Sequence, residues 1–407
     1  MSAAGNPMHL SKWGRLPILA YAMEKRTSLL HCAALAHACL FGLLGAPVSL
    51  AQTQSVLISG LEAPARIIVT PQRNLLVTEA GTITANTARL SRVSESGGAT
   101  TILDDLPSAV APDNLAGPWQ PVLLGENILF LVIGTGDTTV SNAAGAEVPN
   151  PSGPSSPLFS SVLQVTFSKP IDRSAGGFVL TLDQQRSIAN GHPVPLHNTA
   201  GETATFFLVH NFADIIRDDE GQPRRSNTFG AALTLSGLYV SDASRNDLQR
   251  VDLLTDRAVE VAQFPDIPNT RGFGPPMVEA VPTGVADYHG ALLVSEEGGF
   301  PFTPGAAEVK LVNPATGTVT SFIKGLTSAT DILVSTRNGM DTFYVLELST
   351  DPLNGGPGEL LQYNTPTSTP IVLSSSLVFP AGVARDPVSG AFYVTQFFTG
   401  EIVQITP

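Results

Sequence analysis

Acidic side chains recur at one kind of position along this chain. Short apolar segments end in Glu79, Asp242, Glu296 and Glu347, and Gln396 closes a sixth such segment. Polar residues stand at or just before the segments that precede them: Arg66, Asn227, Thr283 and Asp331. Oxygen ligands converging from such positions suit Ca²⁺, which takes about six to eight of them. The competing role for an acid after a strand is to accept backbone N–H bonds in the next turn, and Asp242 in DASRND fits that role. Asn227 and Asp331 have no such duty, so they lead as metal ligands, with Glu79, Glu296 and Glu347 as further candidates. Phe300, Phe302 and nearby Phe273 lie in Pro/Gly-rich loops. They line a pocket for an apolar ligand, together with Arg66 and Thr283, or they pack over the surface.

Other chemistries find less material. Of the seven histidines, His192, His197, His210 and His289 lie beyond the N-terminal segment. His192 and His197 share the loop GHPVPLHN, but further ligands at zinc-like spacing are missing, so both read as surface histidines. His289 falls in a strand-to-strand turn, on the face opposite the acids. No G-x-S-x-G elbow, P-loop or HExxH occurs.

The elements that must position these residues are short strands. An aliphatic or aromatic pair closes a strand at Leu76-Val77, Leu131-Val132, Tyr239-Val240, Leu293-Val294, Tyr344-Val345 and Tyr393-Val394. The intervals are 55, 108, 54, 51 and 49 residues, a period near 50 with one doubled gap. Each pair has a strand before it (Arg66–Thr70, Gln120–Leu124, Thr228–Thr234, Thr283–Ala286, Thr330–Val334, Ala381–Arg385) and one or two after it. Four strands per repeat of this length describe a propeller blade. The fold expected is all-β, a six-bladed β-propeller over residues 52–407. The last repeat lacks a fourth strand, and Val56–Ser59 supplies it, closing the ring. Within the doubled gap, residues 141–205 form an inserted region, with Ser141–Pro157 a surface loop. The rival arrangement makes Phe178–Leu182 the centre of a seventh blade.

Residues 1–51 read as an export signal: basic residues after Met23, an apolar run from Leu29 to Leu50, and a small-x-small site before Gln52. Met23 is the expected start. Both cysteines, Cys32 and Cys39, lie inside the signal, so the mature chain has no disulfide and no thiolate chemistry. Removing the signal leaves 18 basic against 34 acidic side chains, a net charge of −16. Such a surface repels nucleic acid and anionic membranes.

The segment VPTGVADYHGALLVSEEGGFPFTPGAAEVKLV (Val281–Val312) resembles the signature of the ScyD/ScyE family. RSNTFGAALTLSGLYVSDASRNDLQRVD (Arg225–Asp252) is similar to that family's preceding blade, and ISGLEAPARIIV and FPAGVARDPVSGAFYVTQF match its opening and close. The likeness covers most of residues 55–407 and departs over Ser141–Glu202, which is longer here. It implies a secreted, NHL-like propeller without an assigned reaction. The function expected is an exported, monomeric binding or scaffold module that takes a small-molecule, protein or glycan ligand. The alternatives are a calcium-dependent hydrolase at the channel mouth and a quinoprotein oxidoreductase.

Overall fold

The computed structural model describes residues 53–111, 114–142, 147–212, 215–217 and 223–406. The expected leader lies outside these residues. Among them no helix is long and apolar enough to cross a membrane.

The described residues form a six-bladed β-propeller, each blade built on four antiparallel strands, with a fifth strand added to the sheets of blades one and two. Inner strands run over Pro64–Val69, Pro118–Leu124, Thr228–Thr234, Pro282–Tyr288, Ala329–Arg337 and Pro380–Arg385. Second strands run over Leu75–Glu79, Ile128–Ile133, Gly237–Asp242, Ala291–Glu296, Met340–Glu347 and Phe392–Gln396. The second strands are buried on both faces, which is why they read as unbroken apolar runs. Turns between these two strands use the residue types that geometry demands. His289-Gly290 and Asn338-Gly339 hold positive φ at both central positions, the two-residue hairpin connection that matches strand twist.

The core is divided into apolar clusters between neighbouring blades, such as Tyr344, Leu346, Val383 and Phe392 between blades five and six. Fully burying one such side chain stabilises by about 1.5–3 kcal/mol. Ring closure occurs in blade six, where Thr53–Ile58 pairs antiparallel with Glu401–Thr406, Thr53 opposite Thr406. The closing strand thus takes the place expected for Val56–Ser59.

The seventh blade does not exist. Phe178–Val179 is a two-residue strand that pairs in parallel with Leu103 and Asp104 on the outer edge of blade one. Thr181 and Gln184 then form a capping box that starts the helix Leu182–Ala189, so the chain leaves extended geometry where a blade would need it. Val194–His197 adds a fifth strand to blade two beside Thr203–Asn211. The insertion therefore covers the outer edges of two blades. Arg92 fixes it to blade one by donating to the carbonyls of Ile171 and Ser174 at 2.8 and 2.9 Å.

Loops on the face where second strands end carry four small hairpins: Ala109–Ala111 with Asn114–Ala116, Thr139–Ser141 with Glu147–Pro149, Ile215–Arg217 with Pro223–Arg225, and Ile267–Pro268 with Met277–Val278. The stretch expected as a plain loop from Ser141 thus begins inside a hairpin.

Candidate functional site: the axial mouth

The six inner strands begin in register, with Pro64 opposite Glu79, Pro118 opposite Ile133, Thr228 opposite Asp242, Pro282 opposite Glu296, Ala329 opposite Glu347 and Pro380 opposite Gln396. A bulge follows each pair. The third residue of each inner strand is then equivalent: Arg66, Gln120, Gly230, Gly284, Asp331 and Gly382. Three are glycine because backbone of the next blade presses against them. A Cβ on Gly284 would stand 2.6 Å from Asp331 Oδ1, and one on Gly382 would stand 2.8 Å from the Ala65 carbonyl.

The space left by the glycines is filled by Arg66, which is fully buried. From blade one its Nη1 reaches Asp331 Oδ2 of blade five at 2.6 Å, an ion pair that lies off the hydrogen-bond direction. Its Nη2 donates to the Thr330 carbonyl at 2.7 Å. The guanidinium lies 4.9 Å over the Phe229 ring of blade three. Asp331 also accepts from the backbone N–H groups of Ile332 and, in blade six, Val383. Arg66 thus ties blade one to blade five, reaching past blade six, and lies against Phe229 of blade three.

Above this layer stands an apolar ring. The residue after each second strand is Ala80, Gly134, Ala243, Glu297, Leu348 and Phe397. All six donate their backbone N–H to the loop entering the same blade, so they occupy equivalent places. Trp119, Phe229, Phe397, Ala80 and Leu115 pack together there, with Trp119 4.3 Å from Phe229 and 6.1 Å from Phe397. Glu297 is the single ionisable member of the ring. The residue as a whole is half-buried. Burial pushes its pKa up to about 7, and Arg66 pulls in the opposite direction.

The acids named from sequence turn the other way, into their own blades. Glu79 accepts from the N–H of Glu62 at 2.6 Å and from Ser91 and Arg89. Glu347 accepts from the N–H of Thr327 and Ser328, Asp242 from that of Asn227, and Gln396 from that of Val378. They fasten the loop entering each blade through its backbone N–H groups, and Asp242 also caps the turn that follows its strand, as expected for DASRND, by accepting from the N–H groups of Ser244 and Arg245 at 3.1 and 3.2 Å. In blade four Asn246 takes over this duty by accepting from the Val281 N–H. Glu296 is left fully buried without a hydrogen bond, 3.6 Å from Lys310, and burial lifts its pKa to about 8. The expected acidic mouth is therefore not assembled. Among the described residues no group of three or more His, Asp or Glu side chains is gathered to hold a metal.

Asn227 Oδ1 faces the Thr135 N–H at 3.4 Å, between blades three and two. Thr283 is buried, its hydroxyl donating to the Ala329 carbonyl of blade five at 2.8 Å; it joins blades and does not face a ligand. Phe300 meets Phe273 edge-on at 6.1 Å, and the Phe302 carbonyl accepts from Arg271. Both phenylalanines pack with the 267–278 hairpin, outside the axial cluster. His192 and His197 are exposed, as expected, and His289 pairs with Asp341 on the opposite face. Sequence reading missed Glu297, Trp119, Phe229 and Phe397. The signal that finds them is positional, because each occupies a fixed place in the repeat, next to a residue that was named.

No family model matches the chain, and no curated protein matches it. Solved structures with a similar path include a streptogramin B lyase, 12% identical over 87% of this chain and 97% of that one, TM-score 0.45. The PQQ-bound aldose sugar dehydrogenase of Streptomyces coelicolor is 13% identical over 87% and 98%, TM-score 0.46. A gluconolactonase of Xanthomonas campestris is 9% identical over 87% and 89%, TM-score 0.46. What this chain has in common with them is its fold alone.

Proposed function

We propose that this chain is an exported binding propeller, of the type that the ScyD/ScyE resemblance implies, whose axial mouth takes a small ligand with an aromatic body and a protonated nitrogen. The supporting observation is Glu297, one carboxylate in a ring of Ala80, Gly134, Ala243, Leu348 and Phe397. An ionised carboxylate in apolar surroundings is poorly solvated, and a cationic ligand relieves that cost while aromatic faces beside it add attraction. The leader expected at residues 1–51 puts this work outside the cytoplasm. A calcium-dependent hydrolase is the lesser reading, since Asp331 already serves Arg66 and two backbone N–H groups. A quinoprotein has no specific support.

Trp119 is the one tryptophan beyond the leader, so intrinsic fluorescence reports the mouth directly. Phenethylamine is expected to change that emission saturably, and 2-phenylethanol, its neutral analogue, to bind at least about tenfold more weakly, as loss of a charge-assisted bond implies. Glu297→Gln should abolish the difference. For the wild type, affinity should fall by about tenfold per pH unit below about 7, where Glu297 takes up a proton. Equal binding of amine and alcohol, or a silent Trp119, would overturn the reading.

A further inference from the structure

The axis has a second end. On the face opposite the mouth, the inner strands of blades one, two and three and the turn after that of blade six border an open cavity of about 490 Å³. The side chains along it are mostly apolar, among them Ile68, Val69, Val122, Leu123, Ala231 and Pro387. No lining residue is charged, in a chain that carries −16 beyond its leader. Two polar side chains line it. Thr70 donates its hydroxyl to Asp172 of the insertion at 2.6 Å. Gln120 belongs to the same ring position as Arg66 and Asp331, but it neither pairs nor crosses the channel. Its Nε2 donates to its neighbour's carbonyl, that of Pro121, at 3.1 Å. Its Oε1 accepts no hydrogen bond from the described side chains or backbone. None of the residues that pack at the mouth lines this cavity.

We infer that the cavity is a second binding site, for a neutral, largely apolar small molecule with one O–H or N–H group that donates to Gln120 Oε1. The size falls in the range of small-molecule pockets, roughly 300–1,000 Å³. An anion would be repelled by the net charge, and a cation would find no counter-charge in the lining. An acceptor at Gln120 Oε1 orients the ligand, and the apolar side chains of the lining supply most of the affinity. The inference stands apart from the amine reading of the mouth, since neither site contributes a residue to the other.

The test uses two fluorescent probes of the same shape, 2-naphthol and 2-methoxynaphthalene, titrated into the purified chain. One-to-one saturable binding is expected for both, with the naphthol bound several-fold more tightly because only it can donate. Gln120→Leu should erase that preference and leave the ether unaffected. Val122→Trp fills the cavity and should weaken both probes at least about tenfold. Pro387→Trp, an exposed rim position, repeats the test if Val122→Trp fails to fold. Glu297→Gln should leave both probes unaffected. Non-saturable binding, or saturable binding that survives filling in variants with wild-type melting temperature, would overturn the inference. So would loss of naphthol binding in Glu297→Gln, which would move the probe to the mouth.

Discussion

Arg66 and Asp331 are 265 positions apart in sequence and 2.6 Å apart at the axis. Taken alone, Asp331 looks like a free ligand oxygen, because nothing local reveals that an arginine from another blade will claim it. Its removal should therefore act on stability before it acts on any ligand. Asp331→Ala leaves a fully buried guanidinium without its counter-charge and is expected to cost about 3–5 kcal/mol in urea unfolding. Arg66→Met with Asp331→Leu should be less destabilised than the sum of the single changes by roughly 1–3 kcal/mol; additive losses would show that the pair is not coupled. Glu297 was hidden for a different reason. It follows Glu296 directly in SEEGG, and only strand alternation decides which of the two twins enters the blade and which faces the axis. Parity with Val294, buried in the core, was the legible clue.

At the scale of elements, one side chain ties each blade to the next near the axis. Thr78 donates to the Trp119 carbonyl, Thr228 to that of Ile133, Ser241 to that of Thr283, Thr283 to that of Ala329, and Thr395 to that of Ala65. Between blades five and six, Asp331 accepts from the Val383 N–H instead. The ties need the close approach that inner-strand glycines allow. A Cβ on Gly230 would be forced into the Thr283 carbonyl oxygen, the same atom that accepts from Ser241. Gly230→Ala is expected to destabilise by about 1–3 kcal/mol, as overpacking does, while Ser241→Ala loses about 1 kcal/mol. Thermal melts that leave Gly230→Ala at the wild-type midpoint would refute the packing argument. The blades themselves were legible, since the Leu-Val and Tyr-Val pairs repeat at the period of a buried second strand. The mouth hairpins were not, because strands of two or three residues are too short to show alternation. The insertion misled in part, because a two-residue strand such as Phe178–Val179 borrows its geometry from the edge of another sheet.

Across the whole molecule, protonation divides into two opposed groups. Burial raises Glu296 and Asp247 to about 8, with Asp242 opposite Asp247 adding to the rise, and Glu297 to about 7. The folded state therefore holds protons that the unfolded chain would release, and that stabilisation is complete below the ordinary carboxyl range and is lost as pH climbs through 7 to 8. Glu202, held by Lys169, and Asp386, held by Arg73 against its burial, are lowered to about 2. Their contribution is present above the ordinary range and disappears in acid. Maximal stability is thus expected near pH 5, with the melting temperature falling by on the order of 5 °C by pH 8.5. Glu296→Gln should flatten that descent, and calorimetry showing a rise toward pH 8.5 would contradict the assignment. Synthesis meets one further constraint, set by Thr53–Ile58 lying beside Glu401–Thr406. Thr53–Ile58 leaves the ribosome long before the strand it pairs with, so blade six stays incomplete until Glu401–Thr406 follows. A growing chain therefore remains an open arc with two unsatisfied borders. It cannot become a closed body until translation has delivered Glu401–Thr406, so ring closure is set by the synthesis of one late strand and not by the blades between.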